Sequence, residues 1–212
     1  MTTQSKGLPI TGITSRFYDI GSDLIGFGKT FAERIVQEAK LKPDESVLDC
    51  GCGTGTLALA ARRKVGPKGR VCGIDISKDQ LEQARTKARN NNLRIEFLEG
   101  SVDEIPFPGK SFDAVLSTLM IHHLPTEVKK GMFREIRRVL RPGGRIVIAD
   151  FGPPAHYWGW IVAAPVMLMC LTHSTARDNL FNRLADLMSQ EGLKVTDEKT
   201  IKEVVRIIKA EL

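Results

Sequence analysis

The chain has 212 residues, of which 42% are apolar and 26% charged, with a formal net charge of +6 at pH 7. That length lets a single domain, residues 1–212, bury a core without disulfide or metal staples, and the balance is that of a soluble globular protein. Acids are interspersed among the lysines and arginines, so the positive excess fits a solvated surface, with an anionic membrane surface or a nucleic acid as the alternatives.

The first residues, MTTQSKGLPITGITS, lack the apolar core of a secretion signal. From residue 28 onward, short apolar strands alternate with amphipathic helices, the pattern of βαβ units and a parallel sheet. Phe31, Ile35, Val36 and Ala39 follow helical spacing and Pro43 stops that helix, which closes an N-terminal cap region of residues 1–40. A core follows over residues 41–151. Within it, residues 46–49 (SVLD) read as a buried strand, 57–65 as a helix and 70–75 (RVCGID) as the next strand. Ser77 and Gln80 have capping-box spacing and open a third helix that runs to the Asn90-Asn91-Asn92 cluster. Residues 94–98 and 112–117 (FDAVLS) read as strands three and four. Residues 126–140 predict a helix with Val128, Met132, Ile136 and Leu140 on one face; residues 141–144 (RPGG) turn the chain into strand five, 145–151 (RIVIADF).

After Pro153-Pro154 the pattern changes, and residues 152–192 form an insertion and a helix. Residues 157–171 (YWGWIVAAPVMLMCL) are apolar all round, shorter than the roughly 20 residues a spanning helix needs, and interrupted by Pro165. No transmembrane helix is expected. Residues 180–188 are amphipathic, with Gly192 closing that helix, and 194–198 and 204–210 read as a hairpin at the sheet edge within residues 193–212. The fold class expected is α/β: a doubly wound, seven-stranded, mostly parallel sheet with helices on both faces. Cys50, Cys52, Cys72 and Cys170 form neither a usual disulfide spacing nor a metal pair; they read as buried, reduced thiols of a cytoplasmic protein, and no metal site is expected.

Chemistry enters where strand one meets its helix. Residues 47–55 read VLDCGCGTG, with glycines at 51, 53 and 55. In open α/β sheets, ligands bind at the carboxyl ends of strands near the point where strand order reverses, and glycines there permit sharp turns and close approach. Alone this pattern also fits a plain structural corner. A dinucleotide site needs Gly-x-Gly-x-x-Gly, but residue 56 is Thr56. Asp49, two residues before the first glycine, would repel a pyrophosphate and suits a ligand carrying an ammonium; its bland role is a helix-capping acid. Asp75 ends strand two, twenty residues beyond Gly55, where an acid can accept both hydroxyls of a ribose; its bland role is a turn acid before Ser77. Together they describe one extended pocket for an adenosine-bearing cation such as S-adenosylmethionine (SAM).

The stretches VLDCGCGTG, VCGIDIS, IPFPGKSFDAVLS and REIRRVLRPGGRIVIADF, in this order and spacing, resemble the class I SAM-dependent methyltransferases. The likeness runs from about residue 15 to 151, and the final hairpin fits it. Within that superfamily the chain resembles the branch holding ubiquinone and menaquinone C-methyltransferases, sterol methyltransferases and phospholipid N-methyltransferases. The resemblance implies a Rossmann-like methyltransferase fold with a small helical cap, in which Tyr18 of Phe17-Tyr18-Asp19 belongs to the cap helix and, with Val102, is expected to contact the cofactor. It implies that Asp49 and the backbone of Gly51, Cys52, Gly53, Thr54 and Gly55 hold the amino acid part of SAM. Asp75 would hold the ribose and Ile76 the adenine. The family usually has Gly-Asp-Ala where this chain has Gly100-Ser101-Val102, so Ser101 replaces an acid that reaches the adenine amine. Ser117 and Thr118, ending strand four, would line the pocket near the reacting methyl.

Methyl transfer from a sulfonium is an in-line displacement helped by positioning, and a base is needed only when the acceptor must lose a proton. His122 and His123 follow strand four, and His122 is the candidate base; the alternative is that one ring packs under the helix that this stretch opens. The quinone C-methyltransferases carry Arg-Asn at these two positions, a departure that argues for another acceptor. No Asn-Pro-Pro-Tyr run and no Pro-Cys pair follows, which argues against nucleic acid as substrate. Residues 155–175, with Tyr157, Trp158, Trp160, Met167 and Met169 between His156 and His173, fit a buried helix, an apolar acceptor pocket or a membrane-contacting lip. The expected function is methyl transfer to a small apolar or lipid-like acceptor, with a non-catalytic SAM-binding subunit or an RNA or protein methyltransferase as alternatives.

Overall fold

The computed structural model describes residues 27–154, 156, 177–180, 183–201 and 203–212. Tyr18, Cys170, His173 and the run 157–171 with both tryptophans lie outside them. The strands are β1 Ser46–Cys50, β2 Arg70–Asp75, β3 Glu96–Glu99, β4 Phe112–Thr118, β5 Leu140–Phe151, β6 Lys194–Ile201 and β7 Val205–Glu211. The helices are α1 Lys29–Glu38, α2 Thr56–Val65, α3 Lys78–Asn90, α4 Thr126–Val139, α5 Arg177–Leu180 and α6 Leu184–Gln190, and a 3-10 turn, Ile121–His123, follows β4.

One seven-stranded sheet has the order β3-β2-β1-β4-β5-β7-β6. The first five strands are parallel, and β7 runs antiparallel to both β5 and β6. The central strands are mostly apolar and buried because both faces are covered, with Asp49 and Ser117 as buried polar exceptions near their carboxyl ends. Val47, Ala114 and Leu116 pack with Phe31, Ile35, Leu59, Leu81 and Ala84 from α1, α2 and α3. Leu48, Phe112 and Val115 pack on the other face with Met132, Phe133 and Ile136 of α4 and Met188 of α6. Strand order runs outward from β1 in one direction and from β4 in the other, so a crevice opens between their carboxyl ends.

Several boundaries differ from the pattern in the sequence, and three of them have a local reason. β3 starts at Glu96, not residue 94, because the end of α3 uses the intervening residues. Asn92 takes φ 54°, its amide bonds Arg89 O, and the Leu93 amide bonds Ala88 O, a Schellman closure. β5 starts at Leu140: Leu140 pairs with Phe112 and Arg145 with Ala114, so residues 141–144 form a bulge inside the strand instead of a turn before it. Gly143, at φ 75°, supplies the left-handed backbone there. The helix expected over 180–188 is two pieces, α5 and α6, with the Arg183 amide bonded back to Asp178 O at 2.8 Å. The three described cysteines are free and buried, as expected.

The Ser77 hydroxyl caps α3 by accepting the Gln80 amide at 3.4 Å. Ser77→Ala should cost about 1 kcal/mol, the usual value of a lost N-cap, and lower the melting temperature by roughly 2–4 °C for a domain of this size. Ser77→Asp should melt within a degree or so of the parent; thermal denaturation that finds Ala and Asp alike would remove the cap from the stability of α3.

Candidate active site

The glycine loop follows β1 into α2. Gly51, Gly53 and Gly55 all have positive φ, at 70°, 50° and 81°. At Gly51 the constraint is also steric, since an added Cβ would fall 2.4 Å from Met120 Cγ; at Gly55 it would fall 2.9 Å from Ala84 Cβ. The Gly51 and Cys52 amides both bond Ile74 O at 2.9 Å, which ties the loop to β2. The Thr54 hydroxyl accepts from Lys87 Nζ at 2.8 Å, so Thr54, 3% exposed, fastens the loop to α3.

Asp49 is 1% exposed, and neither carboxylate oxygen has a hydrogen-bond partner among the described residues, so it caps no helix. Burial, and next the charge of Asp75, push its carboxyl up to about 8, while the Ala58 amide pulls the other way without reaching hydrogen-bond geometry. A buried, unanswered carboxylate is costly and calls for a cation. Asp75 is placed differently. Its Oδ2 accepts the Gly53 amide at 2.8 Å and its Oδ1 the Ser77 amide at 2.9 Å. It is therefore the turn acid before Ser77, and its remaining lone pairs stay available for hydroxyl donors. Burial raises its carboxyl above the ordinary value, with those amides opposing.

Beyond Asp75 lies a cleft of about 600 Å³ lined by Ile76, Glu99, Gly100, Ser101, Glu104, Ile105 and Pro106. Ser101 and Ile76 thus share a wall, while Val102 turns into the second apolar cluster at 6% exposure. Ser117 is fully buried, its hydroxyl donating to Cys50 O at 2.9 Å, so it links β4 to β1; Thr118 is half-buried at the end of β4. The residues present fit SAM: an orphaned acid for its ammonium, Asp75 for a ribose and a cleft with Ile76, Ile105 and Pro106 in its mixed wall for a purine.

On the other side of Met120 stands a pair of which the sequence reading saw only half. His122 Nδ1 lies 2.7 Å from Asp150 Oδ1. Asp150, 1% exposed near the end of β5, accepts with Oδ2 from the amides of Met120 at 3.1 Å and Ile121 at 2.6 Å. Its Oδ1 also accepts the Phe151 amide at 2.7 Å. Burial works against its charge, but the His122 ring and these amides hold the carboxyl below its ordinary value. Leu119, at φ 49°, makes the strained turn that swings the Met120 and Ile121 amides toward Asp150. The His122 ring packs on His123 at 3.9 Å and edge-on to Phe151 at 4.9 Å between centroids. His123 is exposed. The signal for Asp150 was its place at the carboxyl end of the strand beside β4, where Thr118 pairs with Ala149.

The pH dependence of Asp49 has a definite sign. A carboxyl that holds its proton up to about 8 when folded, against about 4 when unfolded, makes the ligand-free protein lose stability as pH rises through that window. Asp49→Asn should therefore raise the melting temperature of the ligand-free protein at pH 8 while abolishing most of the shift that SAM produces. Thermal melts with and without SAM at pH 5 and 8 test this; an Asn variant that melts lower at pH 8, or keeps the full SAM shift, would disprove it.

Comparisons with known proteins agree with this geometry. A family model described as a methyltransferase domain matches residues 47–144. Over 197 residues the chain is 29% identical to demethylmenaquinone methyltransferase of Lactobacillus johnsonii, covering 84% of this chain and 80% of that protein. It is 32% identical over 143 residues to the ubiquinone/menaquinone biosynthesis C-methyltransferase UbiE of Hahella chejuensis, covering 66% of this chain and 57% of the relative, little more than half its length. A SAM-dependent methyltransferase from Aquifex aeolicus shares the fold with a TM-score of 0.74 at 20% identity, over 93% of this chain and 96% of that one. With the sheet order, the glycine loop and the ligand-seeking acid, these matches place the chain among the class I SAM-dependent methyltransferases, enzymes whose methyl donor is SAM.

Proposed function

We propose that this methyltransferase acts on a small apolar or lipid-like acceptor whose reacting group must lose a proton, with His122 as the base and Asp150 as its partner. The observation that carries the reading is the 2.7 Å contact between His122 Nδ1 and the buried Asp150 carboxylate. A charged carboxylate there accepts the Nδ1 proton, which leaves Nε2 as the ring's acceptor. Bound SAM supplies an electrophilic methyl on a positively charged sulfur. Asp49 holds its ammonium, Asp75 its ribose, and Met120, against Gly51, stands between donor site and dyad. The acceptor's acidic proton passes to Nε2, and Asp150 balances the imidazolium that forms.

A neutral amine acceptor would have no use for so fixed a base, which favours a phenol, an enol or an activated ring carbon. The relatives named for demethylmenaquinone and for ubiquinone and menaquinone support an apolar acceptor of that kind. His122-His123 in place of Arg-Asn favours a different member of the class. The run 157–171, outside the described residues, is the segment proposed to cover such an acceptor or to touch a membrane surface from the cytoplasm. No described helix is long and apolar enough to cross a membrane.

His122→Ala should lower turnover by about 100-fold, the usual worth of a positioned base, while SAM affinity stays near the parent's. Asp150→Asn should do comparable damage and the double variant little more, because the two act as one unit. Labelled SAM and a cell extract, followed by identification of the labelled product, supply the substrate. Parental turnover in His122→Ala would return the dyad to a packing role.

A further inference from the structure

Away from the donor site, a second cleft of about 560 Å³ opens at the amino-terminal ends of β2 and β3. Arg62, Arg70, Arg85, Arg89 and Arg94 line it, against one acid, Glu96. They come from the last turn of α2, the first residue of β2, the second half of α3 and the passage into β3. Buried Val71 and Ala88 and half-buried Ile95 give the wall an apolar part. Asp75 ends the strand that Arg70 begins, so the cleft stands roughly 17 Å from the donor site along β2, at about 3.3 Å per residue.

Most of that positive charge is unanswered. Arg70 pairs with Glu96 at 2.8 Å, but none of the other four guanidinium groups pairs with an acid among the described residues. Arg62 donates to carbonyls of the turn after α2: to Gly66 O, to Gly69 O at 3.0 Å and to Pro67 O at 3.2 Å. Its buried Nε has no hydrogen-bond partner among the described residues. Arg85 donates to Phe97 O at 2.8 Å and Arg89 to the Thr86 hydroxyl at 3.0 Å. These neutral acceptors orient the side chains without cancelling their charge. The backbone is fixed as well. An added Cβ at Gly69 would fall 2.5 Å from Val65 Cγ2, so that turn is tucked against α2, and the Schellman closure sets Arg89 and Arg94 on either side of the end of α3.

Like charges gathered in one cleft raise the local potential for an anion. Lysine is about as frequent as arginine in the chain, yet every cation among the described lining residues is arginine. The planar fork of arginine matches phosphate oxygens two at a time, which the point charge of lysine does not. Single-stranded nucleic acid is held by stacking on aromatic side chains, and none is among the described lining residues. The cleft is also concave and of a size that suits one small molecule, unlike a flat basic face laid on an anionic bilayer. We propose that it is a second binding site, for a small molecule carrying two or more linked phosphates, with the ligand's apolar portion against Val71, Ala88 and Ile95. The site is separate from the methyl-transfer reading and independent of the acceptor and of His122.

Calorimetry with inorganic tripolyphosphate tests it, with the donor pocket filled by S-adenosylhomocysteine so that only the second cleft is free. The parent should bind one tripolyphosphate per chain, at least about tenfold more tightly than inorganic phosphate. Arg89→Gln combined with Arg94→Gln removes two charged donors, so affinity should fall by about 100-fold, about tenfold for each. Arg85→Gln should cost about tenfold by itself, a second reading of the same cleft should the double variant fail to fold. Lys130→Gln combined with Lys194→Gln removes the same charge elsewhere and should leave affinity within about twofold, because distant surface charges are screened. No binding of tripolyphosphate, equal affinity for inorganic phosphate, or the same loss in both double variants would overturn the proposal. So would retention of single-stranded RNA or of phosphatidylglycerol vesicles through Arg89 and Arg94 without binding of tripolyphosphate, which would make the cleft part of a macromolecular surface.

Discussion

Asp49 is a buried acid with no hydrogen-bond partner among the described residues, and the way the fold leaves it so shapes the loop around it. β1 is paired on both sides at this residue, with Gly73 of β2 and Leu116 of β4, so the backbone cannot move to offer a donor. The amides that follow could have turned back to it. Instead Gly51 and Cys52 donate to Ile74 O, and Gly53 donates to Asp75. The positive φ values of Gly51 and Gly53 make that commitment possible. The result is a buried acid held toward neutrality, whose charged form finds no compensation among the described residues.

Three acids near the carboxyl ends of β1, β2 and β5 show how environment separates chemically identical groups. Asp49 has no partner and is pushed toward neutrality. Asp75 is held by two amides and keeps capacity to spare. Asp150 is as buried as Asp49, yet its oxygens take amides of the turn after β4 and the His122 ring, which keep it charged. Burial alone decides nothing here. What the backbone amides do decides whether a buried acid is left unanswered, keeps lone pairs to spare or stays charged beside a ring nitrogen.

Sequence reading succeeded where the cause is local. The strand-glycine-helix passage over 47–55, the acid ending β2 and the Ser77 cap each depend on residues adjacent in the chain, and all were legible. The alternation of strands and helices gave both faces of the sheet for the same reason. The partner of His122 was not legible, because Asp150 reaches it only through the pairing of β4 with β5 across nearly thirty residues. The bulge at 141–144 was taken for a turn because Pro-Gly-Gly marks irregular backbone without saying whether a strand resumes in the same register.

The acceptor side depends on a different kind of contact. Lys129 of α4 is fully buried and lies 3.3 Å from Asp178 and 3.0 Å from Asn179 Oδ1. Thr126 donates to the same Asp178 oxygen at 2.6 Å, and Asn179 Nδ2 donates to Phe151 O at 3.3 Å. Burial pushes the Lys129 ammonium toward neutrality, and Asp178 opposes it. An ion pair this deep is a poor source of stability, since apolar side chains of the same volume would hold two helices at least as well. Apolar surfaces, however, tolerate sliding, whereas a cluster of directed hydrogen bonds is satisfied at one register only. Here that register brings the chain after residue 176 back to the end of β5, one residue from Asp150. Phe151 and Asn179 are thereby held together one residue from Asp150, so the contacts of Lys129 fix where α5 stands against the end of β5 and the His122–Asp150 pair.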